Sequence, residues 1–104
     1  MLRLAASLLL VAILSACGQR EPLRIGFLGG LSGRVADLGE AGRNGAQIAI
    51  EEVNRAGGVN GRQVELIVRD DGQSTEKAVA AFNELIAAGV EAVIGPMTSA
   101  MAEV

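Results

Sequence analysis

The sequence predicts an α/β fold, a parallel sheet of strand order 2-1-3 with flanking helices. Three observations carry that prediction. Short apolar runs alternate with longer stretches of helical spacing, in the order β-α-β-α-β followed by the start of a third helix. Each strand-like run is closed by glycine, proline or aspartate. The apolar excess behind the 50% hydrophobic content sits in the first seventeen residues, outside the alternating part, whose composition is that of an ordinary soluble domain. Strands separated by helices run parallel, with right-handed crossovers. The order 2-1-3 then places the first two helices on opposite faces.

The first strand is read over residues 23–28 (L-R-I-G-F-L), ending in Gly29-Gly30. Asp37-Leu38-Gly39-Glu40 matches a capping box, in which an N-cap carboxylate is answered by a glutamate three residues later. Ala46, Ala49, Ile50 and Val53 follow at helical spacing, and Gly57-Gly58 supplies a stop. Glu51, Glu52 and Arg55 lie off that stripe, as a solvated face requires. The second strand covers residues 63–69 and is closed by Asp70-Asp71-Gly72. Ser74 suits an N-cap for the second helix, whose stripe is Ala78, Val79, Phe82, Leu85 and Ile86, with Gly89 at its end. Residues 91–94 form the third strand, ended by Gly95-Pro96, and Thr98 or Ser99 is placed to cap a third helix. A parallel sheet wants both faces covered. This one has little cover, and its third strand is a bare apolar edge. The expectation is that these residues begin a longer protein.

The first seventeen residues read as an address. Arg3 precedes an apolar stretch interrupted only by Ser7, and Leu14-Ser15-Ala16-Cys17 follows. Fifteen apolar-rich residues make about 22 Å of helix, short of the roughly 30 Å of bilayer hydrocarbon, so an export signal fits better than a membrane span. The L-S-A-C string resembles the lipobox of bacterial lipoproteins. That resemblance implies cleavage before Cys17 and lipid attachment to its thiol. Residues 1–16 are then a signal peptide, 17–22 a tether, and 23–104 a partial ligand-binding lobe.

Composition closes several chemistries. The chain has no His and a single Cys, which removes Cys/His nucleophile pairs, His-based metal sites and disulfides. It has no Trp or Tyr, two Phe and a net charge of −3, so a nucleic-acid partner is disfavoured. The loop Gly29-Gly30-Leu31-Ser32-Gly33 is neither G-x-G-x-x-G nor a P-loop. It reads as a turn at the carboxyl end of the sheet, where open α/β sheets bind ligands. Asp70 and Asp71 are adjacent at a strand end and point opposite ways. Without a third ligand they read as a strand exit whose carboxylates accept backbone N–H bonds. Thr98 and Ser99 bring two hydroxyls to a helix start at the carboxyl end of a strand. That pattern serves equally for capping and for holding an anion. Neither a nucleophile–base pair nor a metal constellation is visible, so no enzyme activity, metal or cofactor is expected.

Taken in order, several pieces resemble a known family. They are I-G-F-L-G-G-L-S-G (25–33), the G-x-x-x-x-N-G-A-x-x-A-I-E-E-V-N stretch (39–54), G-G-V-N-G-R (57–62), V-R-D-D (68–71) and V-I-G-P (93–96). Together they are similar to the type I periplasmic substrate-binding proteins of ABC transporters, in the branched-chain amino acid and amide group. The resemblance implies two lobes closing on a small polar ligand, which is handed to a membrane permease. Ser99 matches the serine that holds the ligand carboxylate in amino-acid-binding members, with Thr98 beside it. Leu38 stands where members often present an aromatic side chain to the cleft, and Ser32 lies in the same loop region. Gln73 and Thr98 occupy positions that some members join by a disulfide, so that staple is missing. The implied setting is the cell envelope, periplasm or outer surface, with a lipid anchor. The alternative is an envelope lipoprotein of the same fold that senses ligands or activates cell-wall enzymes.

Overall fold

The computed structural model describes residue 18 and residues 20–104. The signal peptide, lipobox and Cys17 expectations therefore fall outside the described residues. Strand β1 spans Leu23–Gly29, helix α1 Ala36–Arg55, strand β2 Val64–Asp70, helix α2 Thr75–Ala87, strand β3 Ala92–Ile94 and helix α3 Ser99–Ala102. The sheet has the order β2-β1-β3 with both pairings parallel, as the alternation predicts. β1 is matched to β2 along its length, from Leu23 opposite Val64 to Gly29 opposite Asp70. β3 is shorter than read, and pairs through three residues, from Ile25 opposite Ala92 to Phe27 opposite Ile94.

The side chains of β1 alternate between the two faces, as strand geometry demands. On one face Phe27 is fully buried beneath α1. Gly42 lies so close that a methyl group there would stand 3.3 Å from the Phe27 ring and 2.5 Å from the Met97 Cε. On the other face Leu28 packs with Ala81 and Leu85 of α2, joined by Ile67, Val90 and Val93. Gly26 lacks a side chain where the Leu85 methyls arrive, which lets α2 settle against the sheet. Burying Leu85 completely contributes about 1.5–3 kcal/mol.

Two expectations need correcting. The capping box at Asp37 is not formed. A 3-10 turn over Gly33–Val35 runs straight into α1, so the N-cap is Val35 and Asp37 falls inside the first turn. Its carboxylate still suits the positive end of the helix. The apolar stripe of α2 is only partly core. Ala78, Ala81 and Leu85 are buried, whereas Val79, Phe82 and Ile86 are 42–56% exposed. Helical spacing identified the apolar arc, but the sheet covers only one side of it.

The stops behave as read. After α1 the Gly58 amide bonds the Val53 carbonyl and the Gly57 amide bonds that of Asn54, the paired bonds of a Schellman closure. Both glycines have positive φ, which only glycine adopts without a steric penalty. Ser74 caps α2 by accepting from the Lys77 amide.

Candidate functional site at the carboxyl end of the sheet

Three loops leave the carboxyl ends of the parallel strands side by side, after Gly29, Asp70 and Ile94. Backbone contact sets the first. Gly39 in α1 lies against the Gly30 carbonyl so closely that any side chain at 39 would collide with it. This glycine therefore fixes the spacing between the helix start and the strand exit.

Asp70 ties the first loop to the second. Its Oδ1 accepts from the Leu31 amide at 2.8 Å and from the Gly72 amide at 2.9 Å. The little burial it has pushes the carboxyl up. Hydrogen bonds from the Ser32 side chain and the Gly72 and Leu31 amides, with the Lys77 ammonium near, outweigh this and hold it below the usual aspartate value.

Asp71 points the other way and is fully buried. Its Oδ1 accepts from both the backbone amide and the side-chain amide of Gln73, at 2.8 and 2.9 Å. Its Oδ2 has no hydrogen-bond partner. Both aspartates therefore accept backbone N–H bonds at the strand exit, as the turn pattern predicts, and they point apart.

Gln73 joins the second loop to the third. The Thr98 hydroxyl donates to its Oε1 at 3.2 Å. Thr98 is the N-cap residue of α3, yet its side chain makes no cap bond. Its hydroxyl is used across the loops instead, so capping does not account for it. Ser99 follows as the first helical residue and is exposed. Leu38 lies in the first turn of α1 and is 47% exposed. A recess of about 290 Å³ at this end is lined by Arg34, Val35 and Gln73.

Of the residues singled out in the sequence, Thr98 is bound into this network, Ser32 lies beside Asp70, Ser99 adjoins it, and Leu38 stands free of it. Gln73 and Met97 are organisers that the sequence does not reveal. Gln73 stands out there only as half of a missing staple, and Met97 gives no sequence signal at all.

The sequence pattern of the family described as periplasmic binding protein matches residues 22–104. A leucine-, isoleucine-, valine-, threonine- and alanine-binding protein of Pseudomonas aeruginosa is 37% identical over 97 residues, 93% of this chain and 26% of its own length. A branched-chain amino acid transporter substrate-binding protein of Streptococcus pneumoniae, solved with isoleucine, superposes with a TM-score of 0.74 at 38% identity, covering 78% of this chain and 24% of that one. A solute-binding protein of R. palustris, solved with benzoate, gives 0.68 at 29% identity over 79% and 22%. The chain spans about a quarter of the length of these relatives. With the sheet order, the loop cluster and these likenesses together, the chain belongs to the periplasmic binding protein family.

Proposed function

We propose that this chain supplies one lobe of an extracytoplasmic solute-binding lipoprotein that captures a small carboxylate-bearing ligand and delivers it to an ABC transporter permease. Ser99 is the ligand contact in this reading, with its hydroxyl donating to the carboxylate. The observation that supports it is the state of the loop after β3. Met97 and Thr98 are both anchored, one against Gly42 and one on Gln73, while the next side chain, Ser99, is left exposed. The ligands of the solved relatives fit the same chemistry. Isoleucine and benzoate differ in size and in the presence of an ammonium group, but each joins a carboxylate to an apolar body. Ser32 and Leu38 flank the ligand in this reading, and Leu38 offers it an aliphatic surface where an aromatic ring would stack.

Calorimetric titration of the intact protein with L-isoleucine, L-leucine and benzoate tests it. At least one should bind, and Ser99→Ala should weaken that binding by about 1–3 kcal/mol, the range for a hydrogen bond to a charged group. Binding with unchanged affinity in the variant removes Ser99 from the site. Absence of binding by all three, with co-purification of a cell-wall enzyme, favours the interaction role over transport.

Residues 1–16 act as the export signal and Cys17 as the lipid attachment point in this reading, followed by a tether to β1. The lone cysteine directly after a small-residue pair supports it. Two or more acyl chains on that thiol hold a protein at a membrane stably. Cys17→Ala should move the protein from the detergent phase to the aqueous phase on phase partition. A wild-type protein already in the aqueous phase rules the anchor out.

A further inference from the structure

Gln73 is placed where all three carboxyl-end loops meet. Its side chain packs over Gly30, where an added methyl would stand 3.0 Å from its Nε2. Its two N–H donors, one backbone and one side-chain, converge on a single oxygen of buried Asp71. Its Oε1 receives the Thr98 hydroxyl. Its backbone has φ of 52°, a left-handed conformation that costs a side-chain-bearing residue energy and persists where its surroundings impose it.

The chemistry of the chain of bonds gives it a direction. The Asp71 Oδ1 accepts from the Gln73 backbone amide and from its side-chain NH2 alike, so the Gln73 amide turns its NH2 toward Asp71. Its oxygen then faces Thr98, and the Thr98 proton must point to Gln73. Every rotor from Asp71 to Thr98 is thereby fixed. Met97, the residue before Thr98, fills the space above Gly42 and Gly29 beside Phe27. The loop is thus held on one side by packing and on the other by this relay. The first side chain past both anchors is Ser99.

We infer that Asp71, Gln73 and Thr98 form a positioning relay that sets where the Ser99 hydroxyl is presented. The relay rests on the reading of Ser99 as a ligand contact, and it assigns to that contact the residues that aim it. Asp71 fits such a role better than a stabilising one, because its Oδ2 is buried without a partner, and unpaired buried polar atoms destabilise a fold.

The test separates the relay from the ligand site. Hydrogen exchange of the amides of residues 97–102, measured on the intact protein without ligand, reports on the relay alone. Gln73→Leu and Thr98→Val should speed exchange there at least fivefold and leave the β1 and β2 amides unchanged. A Gln73→Cys/Thr98→Cys pair, oxidised, should restore it. Unchanged exchange in both single variants overturns the relay whatever the ligand data show.

A double-mutant cycle with the tightest-binding of L-isoleucine, L-leucine and benzoate then reports on positioning. Gln73→Leu should lower affinity about tenfold when Ser99 is present and less than twofold in the Ser99→Ala background. Effects that multiply independently overturn the proposal. If Ser99→Ala alone leaves affinity unchanged, the ligand-contact reading fails and the proposal falls with it, even where the exchange result stands.

Gln73→Gly distinguishes aiming from mere support. Glycine adopts φ of 52° without penalty, so the melting temperature should hold or rise while affinity still falls about tenfold. Loss of melting temperature and affinity together would mark Gln73 as structural and overturn the proposal.

Discussion

The two ends of the sheet use similar polar side chains in different ways. At the amino end, Asn54 bonds both the amide and the carbonyl of Val64, at 2.7 and 2.8 Å. Arg62 donates to the Glu21 and Pro22 carbonyls and pairs with Glu91 at 2.7 Å. Those side chains fasten main chain to main chain where the three strands begin. At the carboxyl end, side chains also join one loop to the next, Asp70 to the Leu31 amide and Gln73 to Thr98. One oxygen of Asp71 is orphaned and the Ser99 hydroxyl is exposed past the anchored Thr98. The amino end is arranged to hold the strands together, and the carboxyl end to place particular atoms. The contrast is what an open α/β sheet with a ligand at its carboxyl edge calls for.

That contrast breaks if the amino end proves to govern binding. Asn54→Leu leaves the Val64 amide and carbonyl without their partner in a half-buried place. It should lower unfolding stability by about 2–4 kcal/mol, read from urea titration of the intact protein. Ligand affinity should be unchanged at temperatures where the variant is folded. A loss of affinity at full stability would place Asn54 with the carboxyl-end residues and remove the distinction.

A smaller effect sharpens the other side. Asp70 has its carboxyl held low in the folded protein. A group whose folded pKa is depressed contributes stability above its unfolded value and loses it as pH falls through the folded value. Wild-type stability should therefore fall more steeply than that of Asp70→Asn as pH drops below about 4. Parallel pH profiles would show that the bonds from Leu31, Gly72 and Ser32 do not favour the ionised form.

The architecture was legible because β1 and β2 are apolar runs with punctuation, and because helix spacing alternates with them. Parallel order followed from topology alone. Three features were not legible, for different physical reasons. A glycine inside a helix signals weakness on propensity grounds, yet Gly39 and Gly42 are there because Gly30 and Met97 come too close for a side chain. The α2 stripe shows which residues are apolar but not how wide an arc the sheet covers, and Val79, Phe82 and Ile86 fall outside that arc. The capping box had the right letters at the right spacing, but a 3-10 turn upstream moved the helix start. At the site, both aspartates behave as their turn position predicts. The Gln73–Thr98 bond joins residues 25 apart, a separation at which local pattern carries no information. The family resemblance marked those two positions as neighbours, and the structure supplied the polar bond that takes the place of a covalent one.

The direction of β1 has a consequence for how the protein meets its surroundings. The chain enters this strand at Leu23 and leaves it at Gly29, a rise of about 20 Å at roughly 3.3 Å per residue. Everything upstream of Leu23 joins at the end fastened by Arg62. The loops bearing Ser99, Thr98 and Ser32 open at the far end. In the proposed reading, where the protein is held from upstream of Leu23, it is gripped by its handle, with its mouth turned toward the medium through which a solute diffuses.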